Sequence, residues 1–186
     1  SPELGQLSCR IHYGDGSIQT MGEPYPKLPR EIFRNLLFLD SRPVKARRLA
    51  AKTISSHPQS VDWVSGAFFI VPRDLFDDLG GFDSEIFLNA EDLDLSARIH
   101  QSRRTVSVKA DHSIIHLHGA SKHKTKLKAS GVAAWRALAT TEYVIRKNRL
   151  SRFPRLIRVM RWMNRMVLLV ARNAWSRPLP EASNDA

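Results

Sequence analysis

Phe87-Leu88-Asn89-Ala90-Glu91-Asp92-Leu93-Asp94-Leu95-Ser96-Ala97-Arg98-Ile99-His100-Gln101 decides how the rest of the chain is read. Its spacing predicts a helix over about residues 90–101, with Leu88, Asp92, Leu95 and Ile99 on one stripe. Three acids fall in four positions at the helix start, Glu91, Asp92 and Asp94. A carboxylate in that first turn, at the floor of a cleft, suits a general base that takes a proton from a sugar hydroxyl. The same residues also suit helix capping. Asn89 would be the N-cap and Asp92 its partner three residues on, with acids favoured at the positive end of the helix dipole. Spacing alone leaves both readings open.

Outward from this helix, Val61–Val71 reads as a strand with Gly66 inside it, and a glycine there marks close approach of a ligand or another backbone. Asp74–Leu79 reads as a short helix stopped by Gly80-Gly81. Downstream, Thr105–Val108 and Ser113–His118 read as two further strands. Upstream, residues 6–19 read as a hairpin around Tyr13-Gly14-Asp15-Gly16. Three prolines, at 24, 26 and 29, predict extended backbone over 22–30, and a short helix follows over 31–39. Residues 41–60 read as a basic mobile loop with a helix at 44–54. From about 128 the chain reads as helical. The expected architecture is a mixed α/β body with a helical, basic C-terminus. It holds no GxGxxG or GxxxxGK[ST] phosphate loop.

Two further groups of residues suit chemistry. His112, His116, His118 and His123 cluster after the helix. His116 and His118, two apart on a strand, would share a face and suit a divalent metal, against the plainer reading of incidental histidines on a half-exposed strand. With no cysteine beside them a structural zinc site is disfavoured. In Asp62-Trp63-Val64-Ser65-Gly66-Ala67, Trp63 suits stacking on a sugar ring as well as ordinary core packing, and Gly66 and Ala67 leave space next to it.

The 186 residues suffice for one domain with a core. A single cysteine, Cys9, excludes an internal disulfide framework and fits a reducing compartment. No apolar run approaches membrane-spanning length, Met166–Ala171 being the longest near the C-terminus. The net charge of +11 is unevenly spread. Residues 122–177 carry 15 Lys and Arg against Glu142 alone, while residues 1–121 are close to neutral. Over 152–175, Phe153, Leu156, Ile157, Met160, Met163, Val167, Val170, Ala171 and Ala174 are expected on one helix face. Arg152, Arg155, Arg158, Arg161, Arg165 and Arg172 are expected on another, with Trp162 and Trp175 near the headgroups of an anionic leaflet. The plainer reading is a helix packed on a part of the protein that this chain lacks, with its arginines merely solvated. Nucleic acid is the weaker partner, because the tail has no known motif and few interleaved aromatics.

In order along the chain stand Val61-Asp62-Trp63-Val64-Ser65-Gly66-Ala67-Phe68, Gly80-Gly81-Phe82-Asp83, Phe87–Leu95 and His116-Leu117-His118-Gly119-Ala120-Ser121. Together they resemble the family-2 glycosyltransferases, above all the rhamnosyltransferase-like and galactofuranosyltransferase-like members. Asp15-Gly16-Ser17-Ile18-Gln19 and the following proline-rich stretch add to the likeness, which thins beyond about residue 125. Ser102-Arg103-Arg104 departs from the glycine-containing turn usual there, and the region of Ala110 from a usual proline.

The resemblance implies the C-terminal portion of a GT-A, nucleotide-diphospho-sugar transferase fold and an inverting transfer from a nucleotide-sugar. Asp92 would be the base, and Glu91 would orient the acceptor beside Trp63, Asp62 and Gly66. A Mg²⁺ or Mn²⁺ ion would take His116, with His118, as ligands and stabilise the leaving diphosphate. Residues 1–125 are then the acceptor and catalytic half, 126–177 a basic amphipathic tail, and 178–186 a disordered terminus. The donor half, with its Asp-x-Asp motif, is expected before residue 1. The chain begins Ser-Pro-Glu and reads as a fragment unable to transfer sugar alone. The expected role is synthesis of cell-surface polysaccharide on a glycan or lipid-linked acceptor, in the cytoplasm or peripherally on the inner face of the cell membrane. The alternative is a non-catalytic remnant that holds an anionic membrane or polymer through its basic helix.

Overall fold

A computed structural model describes residues 3–19, 22–36, 58–86, 89–117 and 131–175. The expected helix at 44–54, His118, His123 and the terminus from 178 lie outside those residues. In chain order the elements are β1 (Leu4–His12), β2 (Gly22–Glu23), α1 (Leu28–Leu36), β3 (Gln59–Ser60) and β4 (Trp63–Val64). Then come α2 (Arg73–Asp78), α3 (Glu91–Gln101), β5 (Thr105–Ile115), α4 (Gly131–Lys147) and α5 (Pro154–Trp175). The fold is mixed α/β, compatible with part of a nucleotide-sugar transferase.

β5 is the centre of the main sheet, with β1 parallel on one side and β3 antiparallel on the other. β2 and β4 form a separate antiparallel pair. Gly5 sits at a register shift in β1. A Cβ there would stand 2.5 Å from Ile99 Cγ2 and 2.7 Å from Arg104 Cβ, so the glycine lets α3 close on the sheet. Leu95 and Ile99 of α3 pack with Val64, Leu75, Val106 and Val108 into the first core cluster. Leu93, on the next face of α3, meets Ile86 and Val144 in the second, which docks α4 against α3.

Several elements differ from the sequence reading. Val61–Val71 is not one strand. β4 ends at Val64, Ser65–Phe68 turn, and Ile70 makes an antiparallel bridge to Leu7. The Gly66 N–H bonds a side chain rather than a neighbouring strand, which breaks the ladder at that residue. The two strands expected at 105–108 and 113–118 are one, β5, whose pairing with β1 jumps from Cys9↔Lys109 to Arg10↔Ser113. The extra residues include Asp111 and His112, both exposed, and polar side chains suit a bulge turned to water. His112, then Lys109, holds the Asp111 carboxyl down at about 2.

The hairpin turn forms as read, with Gly16 at φ 75° and Tyr13 N–H bonding Ser17 O at 2.7 Å, but its second strand shrinks to an Ile18 bridge with His12. α1 starts three residues earlier than expected. Pro29 fits a helix's first turn, where its missing N–H would have no partner. Gly80 and Gly81 do end α2 in left-handed conformations. Their N–H groups bond Asp77 O and Phe76 O at 2.9 Å each, a Schellman stop.

The tail is helical as expected, but its faces are used differently. Ile157 and Asn164 point inward. Arg161 does too, through a two-pronged ion pair to the buried Glu31 of α1 (2.7 and 2.8 Å). Phe153, Leu156, Met163, Val167 and Val170, expected to share a face with Ile157, are exposed. α5 is thus held to the body partly by ion pairs, and most of its apolar stripe faces out.

Candidate active site

α3 does not begin with the expected cap. Ala90 is the N-cap, its side chain makes no capping bond, and Asn89 and Ala90 are both left-handed, at φ 65° and 68°. The capping-box pairing of Asn89 with Asp92 is therefore not formed. Asp92 acts locally instead. Its Oδ1 accepts the Leu93 N–H at 2.8 Å, which satisfies one orphan amide of the first turn. Its Oδ2 accepts the Gly66 N–H at 2.8 Å and so joins α3 to the turn after β4.

Glu91 and Asp92 meet at that glycine. A Cβ on Gly66 would lie 3.5 Å from Asp92 Oδ2 and 3.6 Å from Glu91 Oε1. The missing side chain leaves the space beside both carboxylates open. Burial pushes the Asp92 carboxyl above its ordinary range, the Gly66 N–H pulls it back, and the Glu91 charge raises it further. Glu91 Oε2 is buried without a hydrogen-bond partner. A buried carboxylate oxygen left unpaired costs free energy that a ligand hydroxyl would recover.

The other expected site residues take different positions. Trp63 is half-buried and packs against the cluster of Ile86, Leu93 and Val144. Asp62 Oδ2 accepts the Tyr25 N–H at 2.7 Å and fixes the proline-rich segment beside β4. Burial, and then the Asp62 charge, push the Tyr25 hydroxyl upward. His116 follows β5 directly, with Nδ1 3.0 Å from Gln19 Oε1. Among the described residues no three His, Cys, Asp or Glu side chains gather to hold a metal ion. His118, the expected second ligand, lies outside the described residues.

Sequence reasoning missed the support beneath the carboxylates. Asp94 is fully buried. Its Oδ2 accepts Arg98 Nε at 2.8 Å, and its Oδ1 accepts Asn148 Nδ2 at 2.7 Å with Lys147 Nζ at 3.0 Å. Lys147 also reaches Asp83 at 2.7 Å, and Arg98 donates to Leu79 O at 2.8 Å. The C-terminal end of α4 thus clamps the first turn of α3. The i, i+4 spacing of Asp94 and Arg98 is visible in the sequence, but Lys147 at the end of α4 and Asn148 just after it are more than 50 residues away.

No family model and no solved structure matches the chain. Curated proteins that do match include the N-acetylglucosaminyl-diphospho-decaprenol L-rhamnosyltransferases of two Mycobacterium tuberculosis strains, CDC 1551 / Oshkosh and ATCC 25618 / H37Rv. Each is 34% identical over 101 residues, which is 53% of this chain and 32% of the relative. The chain thus spans about a third of the length of the curated relatives it matches. The likeness supports a relationship to glycosyltransferases over about half of the chain.

Proposed function

We propose that this chain is the acceptor-side portion of an inverting family-2 glycosyltransferase of GT-A type, with Asp92 as the base. The observation that carries it is the pairing at Gly66: a buried carboxylate with its affinity for protons raised, beside a second carboxylate with an unpartnered oxygen. Asp92 takes the proton of an acceptor hydroxyl. That oxygen forms a bond to the anomeric carbon of a nucleotide-sugar while the bond to the diphosphate breaks on the opposite face. Glu91 Oε2 accepts a second hydroxyl and orients the acceptor. Trp63 and Asp62 act from behind, by holding β4 and the segment before α1 in place. The resemblance alone carries Mg²⁺ or Mn²⁺ with His116 as a ligand, and proton transfer at Asp92 uses the chain's own residues. The relatives' printed name contains a diphosphate-linked polyprenol, and a lipid-linked acceptor for surface polysaccharide, handled on the inner membrane face, fits this chain's exposed apolar stripe. The alternative of a non-catalytic remnant is favoured by that stripe alone.

The test is release of nucleoside diphosphate from a panel of nucleotide-sugars, with extracted glycolipid acceptors, by the protein that carries this chain with a donor half. Gly66→Ala should fold normally, because the added methyl meets its neighbours at ordinary contact distance. It should still raise the acceptor KM about tenfold, because it fills the space before the two carboxylates. An unchanged KM, with melting also unchanged, would show that acceptors bind elsewhere.

A further inference from the structure

Where α4 meets α5 the surface is opened by two adjoining cavities. One, of about 480 Å³, is lined by Trp135, Glu142, Arg146, Arg155, Arg158 and Val159. The other, of about 430 Å³, lies over the first turn of α5, among Arg146, Arg152, Phe153, Pro154, Arg155 and Leu156. Arg146 and Arg155 border both.

The charge here is unbalanced. Glu142 receives Arg146 at 2.6 Å, Arg158 at 2.9 Å and Arg155 at 3.8 Å. Burial pushes its carboxyl up, but the hydrogen bond and charge of Arg158 and the charge of Arg146 outweigh that and hold it down. One carboxylate thus faces three guanidinium groups, and Arg152 adds a fourth nearby. Arg158 is fixed in place. It lies 3.8 Å over the Trp135 ring and donates to Trp135 O, and its Nε is buried without a partner. Arg146 and Arg155 are 62% and 86% exposed and can turn to a ligand. The first turn of a 22-residue helix adds its positive end to the second cavity.

The walls of the same cavities run into the outward stripe of α5. Leu156 and Val159 line them, and Met163, Val167 and Val170 continue the line at helical spacing, all exposed. The stripe is about 21 Å long by helical rise. No helix among the described residues is long and apolar enough to cross a membrane. An apolar stripe ending in an arginine-lined hollow matches a ligand with an anionic head and hydrocarbon beside it. It matches a polynucleotide less well, because the stripe is aliphatic and offers little for bases to stack on.

We propose that the α4–α5 groove binds the phosphate or diphosphate headgroup of a membrane lipid, with the α5 stripe lying in the leaflet alongside. Arg146, Arg155 and Arg158 would form charge-assisted bonds to the phosphate oxygens. The source of that phosphate rests on the lipid-linked-acceptor reading above; the groove's chemistry does not.

The test is flotation of the 186-residue chain with phosphatidylcholine vesicles, with and without phosphatidylglycerol. Anionic vesicles should bind and neutral ones should bind at least tenfold more weakly. Arg146→Ala with Arg155→Ala should weaken binding about thirtyfold. Arg30→Ala with Arg73→Ala, which removes the same charge elsewhere, should weaken it less than threefold. Met163→Gln with Val167→Gln should weaken it about tenfold or more, and inorganic diphosphate should compete. Equal losses in the two arginine pairs would reduce the groove to diffuse charge and overturn the proposal. So would tight inorganic diphosphate without vesicle binding, which would indicate a soluble phosphate, or preference for an oligonucleotide. Vesicle binding that survives while Asp92-dependent transfer is absent would sink the catalytic reading and leave this one. Transfer without groove-dependent binding would do the reverse.

Discussion

Asp92→Asn should cut sugar transfer by about 10² or more while making the protein more resistant to unfolding at neutral pH. Asparagine has nearly the same shape, and its one oxygen can still accept the Gly66 N–H, so the turn after β4 stays docked on α3, although its NH2 group cannot accept the Leu93 N–H as well. It cannot take a proton. The stability gain follows from burial, which raises the Asp92 carboxyl above its ordinary range in the folded state. The folded form then binds this proton more tightly than the unfolded form does. Stability is therefore lost as pH rises from the ordinary carboxylate range through the raised value. The asparagine variant lacks that loss. Its Tm should exceed wild type at neutral pH, and the two should converge in acid, where both forms of Asp92 are protonated. Equal turnover in the two proteins would return Asp92 to holding the Gly66 and Leu93 amides.

Asp94→Ala should have the largest effect on stability, about 3–5 kcal/mol, because it removes one partner of a buried ion pair and strands the others. Arg98 would remain largely enclosed, and Asn148 would lose an acceptor in the interior. For a chain of this size the loss corresponds to a fall in Tm of roughly 6–20 °C. Burial pulls the Lys147 ammonium down, but Asp83 and Asp94 outweigh it and raise it overall. Its stabilising contribution in the wild type should therefore persist below the ordinary lysine range and fade as pH rises through the raised value. In Asp94→Ala that alkaline dependence should shrink. Thermal melts across pH check both statements, and a change of less than about 1 kcal/mol would mean that α4 does not clamp the first turn of α3.

The residues of the candidate site could be read in the sequence because they lie close together in it. Glu91, Asp92 and Asp94 declare themselves as a helix start, and Gly80-Gly81 as a helix stop. Gly66 reads in the sequence as a strand glycine that marks close approach, and the structure places it in a turn beside Asp92. The apolar, β-branched run around it carries the strand signal, and nothing local reveals that its N–H is taken by Asp92, 26 residues on. The parallel pairing of β1 with β5 is invisible for the same reason, since its register joins residues about 100 positions apart. Trp63 illustrates a different limit: aromatic stacking and core packing need the same residue type, and its packing against the cluster that holds Leu93 and Val144 is not visible in its local sequence. On α5, hydrophobic periodicity located the stripe but not its direction. Inward-facing Arg161 is explained by Glu31, which lies 130 residues earlier.

Asn89 and Ala90 set the direction in which α3 leaves the preceding loop, both left-handed; asparagine takes that conformation readily, whereas it costs an alanine about 1–2 kcal/mol. Glycine in place of Ala90 would relieve that strain and also loosen the angle at which Glu91 and Asp92 are presented. Selection for thermal endurance and selection for turnover would therefore pull position 90 in opposite directions. Lineages of this protein kept under heat alone should drift toward glycine there, while those kept under demand for product should keep the strained alanine.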